Sequence, residues 1–154
     1  MTTTPQITSH HRSLEKLVGQ WEGRETLRQS PDAEPIPTTG RLDIRPTLQG
    51  TFYLLDWVQQ SKGATLMEGL GVIGWDAKAK EHTLHWFDTF GTPPRGLNTG
   101  VWDGPRLTFV TKAETYEGRT SFVVGSDTEL AFTVEMKING SWLTVIDGHY
   151  KRSQ

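Results

Sequence analysis

Beyond Gln20 no stretch of this 154-residue chain carries a helical period. Val, Ile, Thr, Phe, Tyr, Trp and Leu gather instead in short runs that Gly, Pro, Asn and Asp interrupt roughly every 10 to 14 residues. The runs fall at 20–29, 39–46, 50–60, 65–75, 81–90, 96–102, 106–115, 118–125, 128–138 and 141–152. A meander of this length left open would present two long unpaired edges, and closure removes them. The expected fold is therefore all-β, a closed antiparallel β-barrel of about ten strands, with a two-sheet sandwich as the alternative.

Only the segment from Ser13 to Gly19 reads as helix: Ser13 can cap it, Leu14, Leu17 and Val18 share a face, and Gly19 can stop it. Residues 1–12, Thr-rich and polar with the pair His10-His11, are expected to form a flexible N-terminal tail, leaving 13–154 as a single barrel domain. The tail lacks the basic-then-apolar order of a signal peptide, and no apolar run approaches the ~18 residues that span a bilayer. A cytoplasmic protein without a membrane partner is expected.

Charge and composition narrow the chemistry. Sixteen Lys and Arg against 18 Asp and Glu give a formal net charge of −2 without a basic run, so nucleic acid is not an expected partner. The absence of cysteine excludes a thiol nucleophile, a Cys-ligated metal and a disulfide framework. Gly69-x-Gly71-x-x-Gly74 has the letters of a dinucleotide fingerprint but runs into Asp76 and a turn, where the pyrophosphate would need a helix N-terminus. Strand alternation sends His82 and Asp88 to one side and His85 to the other, so no metal site is expected there.

The clearest strand alternates Leu130, Phe132, Val134, Met136 and Ile138 with polar residues, and Asn139-Gly140 then offers a two-residue type I′ turn. That turn sets Val134 opposite Val145, Phe132 opposite Asp147 and Leu130 opposite His149. Leu143, Val145, Asp147 and His149 then point inward, and Ile146, Tyr150 and Arg152 outward. A register shifted by one residue, the alternative, brings Tyr150 and Arg152 inside.

The same reasoning at the turns near Lys62-Gly63 and Ala77 to Lys80 assembles two faces of a central sheet. One gathers Tyr53, Trp57, Glu68, Leu70, Val72, His85 and Phe87; the other gathers Phe52, Leu54, Asp56, Met67, Ile73, Trp75, Leu84, Trp86 and Asp88. Periodicity leaves the choice between them open. Strands apolar on both sides point to one face as an interface, with a homodimer partner as the expectation. Gly69 and Gly71 mark either a bend or the close approach of another backbone, as barrel corners need, or relaxed packing.

Gly19-Gln20-Trp21, following a helical cap at the head of the meander and matched by Lys151-Arg152 at its end, resembles the Gly-x-Trp opening of calycin-type barrels: lipocalins, fatty-acid-binding proteins and nitrobindins. The run Met67-Glu68-Gly69-Leu70-Gly71-Val72-Ile73-Gly74-Trp75-Asp76, followed by His85-Trp86-Phe87-Asp88, is similar to the domain of unknown function 1579 family. The likeness spans roughly residues 14 to 152. It implies a lipocalin-like barrel in which a late Arg or Lys covers the Trp, and it implies no settled activity.

Six tryptophans and six phenylalanines supply broad apolar walls, so the expected function is binding of a small hydrophobic ligand inside the barrel, as a carrier or by sequestration. The expected ligand-binding residues are Trp57, Glu68, His85, Trp102, Phe132, Asp147 and His149, with Asp147 and His149 fixing the ligand's polar end. One alternative is an enzyme using a buried carboxylate and His, built on Glu68, Trp57 and His85 or, with the other face inside, on Asp56, Trp86 and Asp88. A second is haem bound through His149, which the likeness to nitrobindins implies because their iron-ligating His lies on the final strand. A third is a barrel filled by its own side chains. Otherwise no cofactor and no metal are expected. The Pro-rich connections from Gln29 to Thr38 and from Thr92 to Arg95 are candidates for a cavity mouth.

Overall fold

The computed structural model describes residue 4 and residues 6–94, 96–113 and 116–153. A short helix α1 (Ser9–Arg12) runs into a 3-10 segment (Ser13–Leu17) and then into ten strands: β1 (Gly19–Leu27), β2 (Ile36–Thr47), β3 (Phe52–Ser61), β4 (Ala64–Asp76), β5 (Glu81–Asp88), β6 (Asn98–Asp103), β7 (Arg106–Ala113), β8 (Tyr116–Ser126), β9 (Glu129–Ile138) and β10 (Ser141–Arg152). Each strand pairs with its sequence neighbours and β1 pairs with β10, so the antiparallel meander closes into a barrel. The helical segment starts earlier than the Ser13 cap predicted: His10 of α1 stacks on Trp75, with ring centroids 3.9 Å apart.

The helical segment covers one end of the barrel. Leu14 and Leu17 are buried, and Trp21 donates its indole N–H to the Leu17 carbonyl at 2.9 Å. Trp102 donates to Ser13 Oγ at 3.0 Å. The Arg152 guanidinium lies 4.2 Å from the Trp21 ring and donates to the Val18 and Asp127 carbonyls. The cation thus latches both chain ends over the tryptophan, as the resemblance implies.

Two β-bulges decide which residues enter the barrel. The Asn139-Gly140 turn has both residues at positive φ, 51° and 82°, and pairs Leu143 with Met136 as the type I′ reading predicts. Between Thr144 and Ile146 the register slips by one, so Ile146 faces Val134 and Tyr150 faces Leu130. From there to the C-terminal end of β10 every side chain changes face. Ile146, Gly148 and Tyr150 are buried, whereas Asp147 and His149 point outward with side chains 46% and 75% exposed. The expectation of an inward Asp147 and His149 is thereby corrected: the turn is as read, and the extra residue Val145 undoes its register.

A second bulge, between Gln59 and Gln60, does the same to the central sheet. It sets Trp57 opposite Gly69 and Tyr53 opposite Ile73, so Tyr53 and Trp57 share the interior with Met67, Ile73, Trp75, Leu84, Trp86 and Asp88. Each of the two faces assembled from sequence is split. Glu68 and His85 are exposed on the outside, beside Leu70 (39% exposed) and Phe87 (44%).

Candidate functional site

At the end opposite the helical segment the barrel is hollow, with a cavity of about 390 Å³. Trp57, Trp86 and Phe132 form its aromatic wall, with Trp57 6.0 Å from Trp86 and 6.1 Å from Phe132, centroid to centroid. Val134, Met136, Ile146 and Met67 continue the apolar surface. Its mouth lies where β5 and β6 part: they pair over only three residues, from His82↔Gly100 to Leu84↔Asn98, and the chain then leaves the sheet. Phe90, Thr92, Pro93 and Pro94 of that connection border the cavity, so this Pro-rich loop is placed as the sequence suggests, with Arg95 outside the described residues. The Gln29 to Thr38 connection contributes nothing to the lining among the described residues.

The glycine pair of β4 explains how Trp86 fits. Gly69 and Gly71 face inward, and a Cβ on Gly69 would overlap the six-membered ring of Trp86 while standing 3.1 Å from Trp57. The ring therefore lies against bare backbone. What approaches Gly69 is thus a side chain and not another backbone, whereas a Cβ on Gly71 would stand 3.1 Å from Leu84 and 3.4 Å from Trp86 without overlap. Trp86 Nε1 donates to Asp88 Oδ2 at 3.1 Å, and the Phe90 backbone N–H donates to Asp88 Oδ1 at 3.0 Å, which fixes this carboxylate at the mouth.

Behind Trp57 lies a polar cluster that sequence reading missed. Glu25, 2% exposed, accepts hydrogen bonds from Trp57 Nε1 (2.9 Å), Gln59 Nε2 (3.1 Å), Thr38 Oγ1 (3.3 Å) and the Tyr150 hydroxyl. Gly40 and Gly148 make the space, since a Cβ on Gly40 would overlap the Glu25 carboxylate and one on Gly148 would crowd the Tyr150 hydroxyl. Burial, and then the charge of Glu25, raise the Tyr150 phenol well above its ordinary range, so it stays a donor. A buried carboxylate requires such a set of donors. The signal was the period of β1: alternation from Trp21 puts Gly23, Glu25 and Leu27 on the core side.

Of the residues expected to bind ligand, Trp57 and Phe132 line the cavity. Trp102 is at the opposite end, under the Lys16 ammonium at 4.6 Å. Glu68, His85, Asp147 and His149 lie on the outer surface, and His149 Nε2 stands 3.3 Å from Asp147 Oδ1 there. No described residue of the cavity lining is a histidine, and His149 lies on the outer surface. Neither Glu68 with His85 nor Asp56 reaches the cavity; Asp56 pairs instead with Arg45 at 2.7 Å. No cluster of three His, Asp or Glu able to hold a metal occurs among the described residues.

The buried histidine is His82, at the helical end, 2% exposed. Trp75 covers it at 4.8 Å, and Ser13 Oγ is 3.5 Å from its Nε2. Burial pushes its pKa down to about 4, with His10 and His11 adding in the same direction against a backbone contact at Gly74. It is neutral at pH 7 and part of the seal between helix and barrel.

The family described as "Protein of unknown function (DUF1579)" matches residues 6–152. Among solved structures, Rv2717c from M. tuberculosis is similar with a TM-score of 0.64 at 15% identity, covering 97% of this chain and 100% of that one. The S-type phycobiliprotein lyase CPES from Guillardia theta is similar with a TM-score of 0.63 at 12% identity, covering 97% of this chain and 99% of that one. At these identities the likeness is one of fold. No curated protein matches the sequence. No helix among the described residues is long and apolar enough to cross a membrane.

Proposed function

The chain belongs to the family of proteins of unknown function DUF1579, and for this member we propose binding of one small, largely apolar molecule in the barrel cavity. The observation that carries this reading is the hollow half of the barrel, about 390 Å³ and walled by Trp57, Trp86 and Phe132. That volume lies within the range of small-molecule sites, and an aromatic wall with a few fixed polar groups is their usual lining. Barrels of this size either fill with side chains or hold one ligand, and this one fills only at its helical end. The similarity in fold to a phycobiliprotein lyase supports a barrel that works on a ligand. The driving force is burial of apolar surface, about 25 cal/mol per Å².

The test is titration with the neutral fluorophore N-phenyl-1-naphthylamine. Saturable one-site binding with a blue-shifted emission, lost in Val134→Phe but kept in His149→Leu, is the expected result. Emission that stays unshifted, or binding indifferent to Val134→Phe in a folded variant, contradicts the reading.

A further inference from the structure

The charge at the cavity mouth narrows the class of ligand. Asp88 lines the cavity and forms no ion pair among the described residues. The two donors to its carboxylate among the described residues, Trp86 Nε1 and the Phe90 backbone N–H, are neutral and take one bond at each oxygen. A carboxylate offers about four acceptor sites, so both oxygens keep capacity for another donor. The cation along the described lining is Arg119, and it is occupied elsewhere. Its guanidinium donates twice to Glu135, at 2.8 Å each, and lies 3.9 Å from the Trp142 ring.

The apolar groups around Asp88 are of a particular kind. Trp86 and Phe90 flank it in sequence and border the same cavity, and Trp57 and Phe132 stand behind them. Aromatic faces attract a cation through the ring quadrupole, most strongly when it is partly desolvated, and a neighbouring carboxylate adds direct charge attraction. A neutral or anionic group gains neither. An anion at the mouth would meet the charge of Asp88, which no cation among the described residues pairs.

We infer that the molecule held in this cavity carries a cationic head, an alkylated amine or quaternary ammonium, seated between Asp88 and the Trp86 and Phe90 rings, with its apolar part against Trp57 and Phe132. The inference rests on the cavity being the binding site and adds the ligand's charge to it.

Two probes of one shape separate the claims: phenyltrimethylammonium and tert-butylbenzene, in which a quaternary carbon replaces the charged nitrogen. Binding is read from the Trp86 indole N–H signal in NMR titrations of the intact protein and of Asp88→Asn. The expected result is binding of the cation at least about tenfold tighter than of its neutral isostere, with that preference abolished in Asp88→Asn. Unchanged binding of tert-butylbenzene to the variant reports that the cavity is intact. Equal binding of the two probes, tighter binding of the neutral one, or a preference that survives Asp88→Asn overturns the cation assignment while leaving the cavity reading in place. Binding of neither probe overturns the cavity reading, and this inference with it.

Discussion

The Trp57 indole N–H donates to the Glu25 carboxylate at 2.9 Å, which ties the wall of the cavity to the first strand of the barrel. The ring can present its face to the hollow because its polar edge is satisfied on the other side. Tyr150 and Gln59 converge on the same carboxylate, so β1, β3 and β10 are joined at one buried point. Shape in the cavity therefore depends on a charge outside it.

Glu25→Ala is expected to cost about 3 kcal/mol or more, because a charge-assisted cluster is lost and several buried donors are left without an acceptor. Glu25→Gln keeps the volume but turns one acceptor into a donor facing other donors, and about 2 kcal/mol is expected. Urea unfolding of both variants checks the order, Ala worse than Gln.

Gly69→Ala places a methyl where the Trp86 ring lies, and that ring must move. Overpacking of this kind costs about 1–3 kcal/mol. Because Trp86 is part of the cavity wall, affinity for N-phenyl-1-naphthylamine should fall together with stability and the Trp86 indole N–H signal should shift. Gly63→Ala, in a hairpin turn with open space around it and φ of +79°, should cost stability without touching the probe.

Acid should loosen the helical end. The folded-state pKa of His82, about 4, lies below its ordinary 6.5. Between those values the unfolded chain binds a proton that the folded chain refuses. Its contribution is thus full above pH 6.5, declines as pH falls from 6.5 towards 4, and levels off below. The loss from this group is at most about 3 kcal/mol. His82→Gln should flatten that part of a stability–pH profile, and fluorescence of Trp75, which covers the imidazole, offers a local readout.

His149→Leu should leave both stability and probe affinity nearly unchanged, within about 0.5 kcal/mol, because its side chain is 75% exposed and its partner Asp147 also faces outward. A large loss of binding in this variant would restore the inward register of β10.

The fold was legible because a barrel of this kind repeats its evidence. Alternation in β9, the Asn139-Gly140 turn and the Gly19-Gln20-Trp21 opening with its distant Arg152 each point to the same closed meander. The site was less so, since a single inserted residue reverses a strand's faces. Val145 and the Gln59-Gln60 step bear no residue type that marks a bulge, and two bulges sufficed to expel Asp147, His149, Glu68 and His85. Trp57 and Phe132 do line the cavity, because large aromatic residues on the apolar face of a strand have few places to go but inward. Glu25 was not, because a carboxylate on a strand ordinarily marks the wet side, and its donors come from strands far apart in sequence.

The most direct test of the central claim is an NMR titration of protein labelled with ¹⁵N at its six tryptophans, with tert-butylbenzene as the ligand. The indole N–H signals of Trp57 and Trp86 should move in step and saturate, while those of Trp21, Trp75, Trp102 and Trp142, all outside the cavity lining, stay in place. Shifts confined to the latter four, or no saturable shift at all, would contradict a ligand-binding cavity in this barrel.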